Sequence, residues 1–322
     1  MQAALNIIGD DLKLVEKQFR KDLESDVPLI RKVGEYVLSS GGKRVRPALL
    51  LLAAKLCDYQ GDKAVPLASV VEFIHTATLL HDDVVDSATL RRGLASANTL
   101  WGNEASVLVG DFLFSKSFSL MVCAGSLDIL RVLSNATTII AEGEVMQLLC
   151  TGEMDLSEAD YIGVVQAKTA ILMSAACEAG AILGQASQEK QKMLADFGMD
   201  LGIAFQLMDD TLDYIATEEQ FGKSIGHDLE EGKITLPLIH TLLHCTEEER
   251  ETIAVVVEKD EMSLDDFRNV SGLVKRYGGI EYTVNIARGY IETCSNHLSC
   301  FGPNPVREAL LDLADYVVTR SK

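Results

Sequence analysis

Two apolar segments of this chain each end in three aspartates with the same spacing, and these stretches constrain its fold most strongly. The first segment runs from Val70 to Leu80 and leads into Asp82, Asp83 and Asp86. It contains no Pro or Gly, and its length favours a helix over a strand. Because residues four apart lie on one helical face, Asp82 and Asp86 are predicted to point the same way, with Asp83 beside them.

The second motif repeats this pattern, with Asp209, Asp210 and Asp213 at the end of the apolar segment 201–208. Like charges at this spacing repel, and an apolar neighbourhood strengthens the repulsion, so a cation is expected nearby. Mg²⁺ takes oxygen ligands from carboxylates and phosphates, and helix bundles build such sites from facing helices. One motif alone is also typical of a solvated helix end. Two motifs in matching contexts predict a shared cluster of metal ions that binds a phosphate-bearing ligand.

The charge balance argues against a nucleic-acid partner. The 322 residues include 29 basic and 48 acidic ones, a net charge of −19, whereas nucleic-acid binders show basic patches. The seven widely spaced cysteines include no Cys-x-x-Cys pair, which indicates free thiols in a reducing cytosol. No signal peptide is visible at residues 1–6, and no uninterrupted apolar run reaches the roughly 18 residues of a membrane-spanning helix. We therefore expect a cytoplasmic protein.

Almost every segment of the chain has a helical pattern. Only six prolines occur, and no alternating strand pattern bounded by hairpin turns is visible. Ser157, Ser187 and Thr246 are predicted to begin helices. No linker divides the chain, so residues 1–322 are predicted to form one all-α domain, a helical bundle around a deep central cavity. The predicted helices span 8–24, 28–39, 46–58, 66–87, 104–123, 126–150, 157–183, 187–217, 234–243, 246–258, 263–276, 279–299 and 305–320.

Two clusters of basic residues run against the acidic composition and are informative for that reason. The segment 41–47, Gly-Gly-Lys-Arg-Val-Arg-Pro, places three cations in four positions between two predicted helices. Its glycines allow close approach of the backbone and its cations suit a diphosphate, although solubilising charge at a helix end is an alternative. Arg91 and Arg92 follow the first aspartate motif. They form either a salt-bridged loop or a clamp on diphosphates, for which arginine is well suited.

Further polar residues interrupt apolar or glycine-rich stretches. Lys168-Thr169 lies in an apolar helix, where a lysine either extends to solvent or faces a polar cavity. Lys223 and Lys233 lie among glycines and charges that pack poorly, and we expect a mobile flap there. Gly110-Asp111 interrupts another apolar run. A buried aspartate needs a partner, and we predict a structural role for it.

These motifs, in this order, resemble the trans-isoprenyl diphosphate synthases over roughly residues 20 to 320, and most closely the long-chain polyprenyl synthases. The resemblance implies an all-helical fold and repeated addition of isopentenyl diphosphate, in trans, to an allylic diphosphate such as farnesyl diphosphate. It implies two or three Mg²⁺ ions per active site, with Mn²⁺ as a possible substitute, and long products that serve as quinone side chains. It also implies a homodimer, for which helix 105–123 is a reasonable interface, and transient membrane contact for product release.

The resemblance also implies roles for individual residues. The metal ions are assigned to Asp82, Asp83, Asp86, Asp209, Asp210 and Asp213. Isopentenyl diphosphate is assigned to Lys43, Arg46, His75 and Arg92. The allylic diphosphate is assigned to Arg91, Lys168, Thr169, Gln206, Lys223 and Lys233, with Lys168 and Gln206 also counted as catalytic. Without the resemblance, a histidine such as His75 on an apolar helix would be read as a core residue.

Product length is predicted from the residues one turn before Asp82. Ala77 and Thr78 are small, whereas short-chain members of the family carry bulky residues there that block the growing chain. The path is therefore expected to be open, with its floor deeper in the protein, at Ile74 or on a neighbouring helix. The candidates on that helix are Phe118 and Met121.

Other functions remain open at this stage. A terpene cyclase or a head-to-head condensing enzyme has related acidic motifs but lacks the Gly-Gly-Lys-x-x-Arg pair. A non-catalytic partner subunit of another synthase usually loses one aspartate motif, and both motifs are intact here. A shorter-chain synthase shares every motif and differs only in where the product path ends. A scaffold that merely binds cations does not account for the basic clusters.

Overall fold

The computed structural model describes residues 2–215, 226–259 and 261–319, and the chain is almost entirely helical over these ranges. Lys223 and its neighbour Gly222 lie outside the described residues. A π-helical turn at Gln166–Ala170 precedes α9, and a 3₁₀ turn at Leu298–Cys300 follows α15. The helices are α1 (Gln2–Asp22), α2 (Pro28–Ser39), α3 (Val45–Leu56), α4 (Ala64–Val85), α5 (Ala97–Trp101), α6 (Asn103–Ala124), α7 (Leu127–Cys150), α8 (Glu158–Val165), α9 (Ile171–Leu183), α10 (Gln188–Tyr214), α11 (His227–Glu230), α12 (Leu236–Leu242), α13 (Glu247–Val257), α14 (Leu264–Arg276), α15 (Gly279–His297) and α16 (Pro305–Thr319).

Side-chain caps fix several helix starts at the predicted places. The Ser157 hydroxyl accepts a hydrogen bond from the backbone of Asp160 at the start of α8. Thr246 and Glu249 form a reciprocal capping box at the start of α13. Such caps satisfy the backbone N–H groups that the first turn of a helix leaves unpaired. The predicted starts at Ser157 and Thr246 are therefore confirmed.

One short hairpin was not predicted from the sequence. Strand β1 (Leu90–Arg91) pairs antiparallel with β2 (Leu94–Ala95). Arg92 and Gly93 form the turn between them and both have positive φ, 52° and 77°. Two consecutive positive φ values are typical of the two-residue turns that favour hairpins. Strands of two residues are too short to show the alternation by which strands are recognised in sequence.

Two compact units divide the chain. The first comprises Met1–Thr138, Leu172–Gly198 and His297–Leu313, and the second comprises the remaining residues up to Lys322. That residues 1–322 act as one domain stays a prediction. In the first unit, α4 packs against α1, α3 and α6. In the second unit, α12 packs against α8 and α14.

The core of the first unit surrounds the inner face of α4. Phe73, Ala77 and Leu80 lie on that face, are fully buried, and pack into one apolar cluster with residues of α1, α2 and α6. Burial of a side chain as large as Phe73 or Leu80 stabilises the fold by roughly 1.5–3 kcal/mol. This packing fixes the helix that leads into the first aspartate motif.

Three helical stretches are long and apolar enough to cross a membrane, judged by length and composition alone. They are Ala64–Val85, Asn103–Ala124 and Glu158–Leu183. No membrane-spanning helix was predicted, because these stretches contain isolated polar residues that interrupt the apolar runs. The protein itself buries 61% of the apolar window in the first and third stretches, but only 33% in the second. The second stretch is α6, which therefore presents much of its apolar surface outward.

Candidate active site

The first aspartate motif lies at the end of α4, where Asp83 turns inward. Its side chain is 2% exposed, and its Oδ1 accepts hydrogen bonds from Nε and Nη2 of Arg91, each at 2.6 Å. Burial raises the pKa of Asp83, Arg91 opposes this, and the nearby Asp86 adds to it. Arg91 thus forms the salt-bridged arrangement that the sequence left open. Its assignment to the allylic diphosphate stays a prediction.

The three cations of the Gly41–Arg46 segment have different surroundings. Lys43 is exposed, whereas Arg44 turns inward and pairs with the buried carboxylate of Glu72 on α4. Arg46 lies in the first turn of α3, and its Nη1 lies 3.2 Å from Nε2 of His75. Arg46 and His75, both predicted to bind isopentenyl diphosphate, are therefore in contact.

Arg92 joins this group from the β-hairpin. Its Nη1 donates a hydrogen bond to the carbonyl oxygen of Gly41. A Cβ placed on Gly42 would lie only 2.8 Å from the same Nη1, and Gly42 has a φ of +144°. Glycine at position 42 therefore allows the guanidinium to lie against the backbone. The structure brings together Arg46, His75 and the Arg92 turn within the first unit.

His75 is surrounded by positive charge. Burial lowers its pKa well below 6.5, and the guanidinium groups of Arg46 and Arg92 lower it further. A neutral imidazole results, which accepts or donates hydrogen bonds without adding to the repulsion among the arginines. The structure thus assigns His75 a polar partner, unlike a histidine that merely fills a core.

The predicted chain-length residues lie on α4 and α6 in the first unit. Ile74, Ala77 and Met121 are almost completely buried, whereas Thr78 and Phe118 are partly exposed. Ala77 packs within the apolar cluster described above. The role of all five residues in limiting product length stays a prediction.

Asp111 differs from the expectation drawn from its apolar surroundings. Its side chain is 62% exposed, and its Oδ1 lies 3.3 Å from Nε2 of His81. A Cβ on Gly110 would lie 2.3 Å from that Nε2, so glycine makes room for the imidazole ring. Asp111 is exposed because it lies on the outward side of α6. Its contact with His81 is consistent with a structural role.

In the second unit, Asp210 is held by a chain of side chains. The Thr169 hydroxyl donates to Oε1 of Gln206 at 2.9 Å, and Nε2 of Gln206 donates to Oδ1 of Asp210 at 2.7 Å. The Tyr161 hydroxyl donates to the other carboxylate oxygen, Oδ2. Three predicted site residues, Thr169, Gln206 and Asp210, are therefore connected directly.

Burial and neighbouring acids disfavour the charged form of these carboxylates. Burial raises the pKa of Asp210 to about 8, and Asp228 contributes to the rise. Burial also raises the pKa of Asp213, although its carboxylate accepts backbone hydrogen bonds from Gly226 at 2.8 Å and Asp228 at 3.1 Å. Burial and Asp213 raise the pKa of Asp228 in turn. Lys233 opposes this rise at Asp228, so positive charge near the cluster favours its ionised form.

Two lysines face the same part of the second unit. Lys168 lies on the π-helical turn that precedes α9. Its Nζ is 2.6 Å from Oε2 of Glu144. Nζ of Lys233 pairs with Glu231. Single π-helical turns are frequent at functional sites. A cavity of about 130 Å³ is lined by both lysines, by Thr169, Gln206 and Asp210, and by apolar residues such as Val164 and Ile234.

The donor set fits a hard divalent cation. Within residues 2–215, 226–259 and 261–319, no three His, Cys, Asp or Glu side chains form a ready-made metal site. Asp83, Asp210 and Asp213 instead bind arginine, side-chain and backbone donors of the protein itself. Their oxygens are nevertheless the ligands that Mg²⁺ prefers, and a cation would relieve the repulsion that raises the pKa values in the second motif.

Sequence reasoning missed four residues of these networks. Glu72 lies 28 residues from Arg44 in the chain, and Tyr161 lies 49 residues from Asp210. Contacts across such separations leave no local pattern. One signal was present, because Glu72 is the only acid in the apolar segment 70–80 and a buried charge requires a partner. The missed residues are Glu72, Tyr161, Asp228 and Arg44, whose structural contact with Glu72 was not predicted.

Comparison with known proteins places this fold and these motifs in one family. The polyprenyl synthetase family model matches residues 27–274. The chain is 43% identical to octaprenyl diphosphate synthase of Escherichia coli (strain K12) over 316 residues, 98% of each protein. A decaprenyl diphosphate synthase from Rhodobacter capsulatus superposes with a TM-score of 0.94 at 42% identity, covering 99% of this chain and 98% of that one. A polyprenyl synthase from Caulobacter crescentus CB15, complexed with calcium and isoprenyl diphosphate, superposes with a TM-score of 0.95 at 41% identity. The match covers 100% of this chain and 98% of that one.

The chain therefore belongs to the polyprenyl synthetase family, whose members use a divalent metal and bind isoprenoid diphosphates. Within this family it is an enzyme, a trans-polyprenyl diphosphate synthase. The predicted all-α fold and the predicted family are both confirmed.

Proposed function

We propose that this enzyme adds successive isopentenyl diphosphate units to an allylic diphosphate, preferably farnesyl diphosphate, and releases a product of eight isoprene units for quinone side chains. The observation that carries the proposal is the contact of Arg46 with His75, beside Arg92 and the Gly41–Gly42 backbone. This group supplies phosphate donors separate from the carboxylate motifs. An enzyme that ionises a single diphosphate needs only one such site, whereas a condensing enzyme needs two.

The residues divide the reaction between them. The allylic diphosphate is held by Arg91, Lys168, Thr169, Gln206, Lys223 and Lys233. Isopentenyl diphosphate is held by Lys43, Arg46, His75 and Arg92. Two or three Mg²⁺ ions, bound by the six motif aspartates, would neutralise the allylic diphosphate and make it a good leaving group. The allylic carbon–oxygen bond breaks, and the double bond of isopentenyl diphosphate attacks the resulting carbocation. The departing diphosphate takes the proton that is then lost, and Gln206 stabilises the cation.

The metal assignment is tested by removing one carboxylate from each motif. Asp82→Ala and Asp209→Ala are expected to lower turnover at least about a hundredfold, since removing one electrostatic ligand of a transition state is worth roughly 3–4 kcal/mol. Turnover is measured with purified protein, labelled isopentenyl diphosphate, farnesyl diphosphate and Mg²⁺. Asp128→Ala is the matched control, because Asp128 is exposed and contacts only Arg131 among the ion pairs of the described residues. Near-normal turnover in either motif variant would refute the assignment.

The proposed partner in solution is a second copy of the chain. Helix α6 exposes Leu108 and Val122, at 66% and 64%, and Val107 at 37%. Exposed apolar surface of this extent is typical of interaction sites, and helix 105–123 was expected to form the dimer interface. A cytoplasmic location, with transient membrane contact when the apolar product leaves, completes the proposal.

A further inference from the structure

We infer that Glu72 is a positioning residue for isopentenyl diphosphate: through Arg44 it fixes the segment that presents Lys43 and Arg46. The inference rests on the proposed function, which assigns those two cations to that substrate. Nothing in the aspartate motifs or the basic clusters points to Glu72. Of the three neighbouring cations in this segment, Arg44 is the one whose side chain turns inward to the buried carboxylate of Glu72.

Arg44 is held in a conformation that the surrounding contacts must maintain. It precedes α3 with φ 49° and ψ 36°, in the left-handed region. For a residue other than glycine this conformation is unfavourable, so tertiary contacts have to stabilise it. The guanidinium donates to the carbonyl of Leu38 at 2.6 Å, to Glu72, and more distantly to Glu16 at 3.4 Å.

Glu72 is the buried member of this set. Its side chain is 5% exposed, against 48% for Glu16 and 13% for Arg44. A buried carboxylate requires a charged or hydrogen-bonding partner, and removing one member of such a pair leaves the other unpaired. The pair therefore fixes the start of α3 against α4, and the exposed contact with Glu16 adds little.

The same two helices carry the proposed substrate contacts one turn away. Glu72 and His75 are three residues apart on α4, so both lie on the face towards the start of α3. Arg44 contacts the first and Arg46 contacts the second, at 3.2 Å. Arg92 also lies against this segment, through the carbonyl of Gly41. A shift of residues 41–46 would therefore displace the diphosphate donors together.

The lysines proposed to hold the allylic diphosphate are independent of this arrangement, and Arg91, also assigned to that substrate, is held by Asp83. Lys168 and Lys233 belong to the second unit, and each has its own carboxylate partner there. Loss of the Glu72 carboxylate should therefore weaken binding of isopentenyl diphosphate selectively. A residue that only stabilises the fold would affect both substrates alike.

The test compares Glu72→Gln with Glu16→Gln, since both acids contact the same arginine and differ in burial. The KM for each substrate and kcat are measured, together with the Kd of isopentenyl diphosphate by calorimetry without allylic substrate. For Glu72→Gln we expect KM and Kd for isopentenyl diphosphate to rise about tenfold or more, because losing a buried charged contact of about 1.4 kcal/mol corresponds to a factor of ten. We expect KM for farnesyl diphosphate to stay within about twofold of wild type. For Glu16→Gln we expect no change in any of these constants.

Equal increases in both KM values, or no increase for Glu72→Gln, would overturn the inference. If that variant does not fold, Arg44→Lys replaces it, because lysine keeps the charge but loses the planar fork and should give the same selective loss. Arg307→Lys is its control, since Arg307 also binds a backbone carbonyl, that of Leu298, and a glutamate. Wild-type protein that binds isopentenyl diphosphate without forming product would contradict the proposed function, and the calorimetric comparison would still decide the inference.

Discussion

Individual polar side chains are placed by partners that are distant in sequence. The aspartate motifs and Lys43, Arg46 and Arg92 were recognisable because their spacing or clustering is local. Tyr161 was not, because nothing near position 161 indicates that its hydroxyl donates to Asp210. Sequence therefore predicted the charged groups of the site, whereas their orientation depends on contacts that only folding brings together.

Tyr161→Phe tests whether this orientation matters. Loss of the hydroxyl leaves Oδ2 of the buried Asp210 without that donor, and a lost hydrogen bond to a charged group is worth about 1.5–3 kcal/mol. Turnover is expected to fall roughly tenfold or more, with a higher Mg²⁺ concentration needed for half-maximal rate. Tyr282→Phe is the matched control, since Tyr282 donates to Glu158 at 2.7 Å in the same unit. Equal effects of the two variants would contradict a positioning role for Tyr161.

His75 gives a prediction about stability and pH. Its pKa in the folded protein is well below 6.5, whereas in the unfolded chain it is about 6.5. Below pH 6.5 the unfolded chain therefore binds a proton that the folded protein does not, and the free energy of unfolding falls as pH falls. Between pH 7.0 and 5.5 this contributes about 1 kcal/mol. Urea unfolding at both pH values should show that much less pH dependence in His75→Gln; an unchanged dependence would contradict the neutral imidazole.

At the element scale, helix periodicity and caps were predictable, and the hairpin was not. Val70–Leu80 lies within α4, and the Ser157 and Thr246 caps begin α8 and α13. The β1–β2 hairpin arises from its turn, with positive φ at Arg92 and Gly93. Its two-residue strands are too short for a periodic signal.

Chain length is an element-scale property of α4. Thr78→Phe is expected to shorten the products, because a bulky, partly exposed side chain one turn before Asp82 would narrow the path. Ala77→Phe should do the same, but position 77 is fully buried in the core, and overpacking there costs typically 1–3 kcal/mol. Product lengths are measured beside thermal stability, with Ala77→Ser as the control that keeps a small side chain. Unchanged product length in a stable Thr78→Phe variant would contradict the predicted path.

For the molecule as a whole, we propose that the exposed apolar surface of α6 packs against a second copy of the chain. Leu108→Asp should prevent burial of this surface, because a desolvated unpaired carboxylate is unfavourable at an interface. We expect wild-type protein to have the mass of a dimer by light scattering and the variant to have that of a monomer. Leu127→Asp, which changes an 83% exposed leucine at the start of α7, tests whether any surface charge has this effect. A wild-type monomer would contradict the proposed assembly.

The proposed reaction predicts the length of the product that the unmodified enzyme makes. Purified protein is incubated with Mg²⁺, labelled isopentenyl diphosphate and farnesyl diphosphate, and the dephosphorylated alcohols are separated by length. A dominant product of about eight isoprene units is expected, since the small residues at positions 77 and 78 are predicted to leave the path along α4 open. A product of three or four units would contradict the long-chain assignment while retaining the condensation. Absence of any product would contradict the proposed reaction itself.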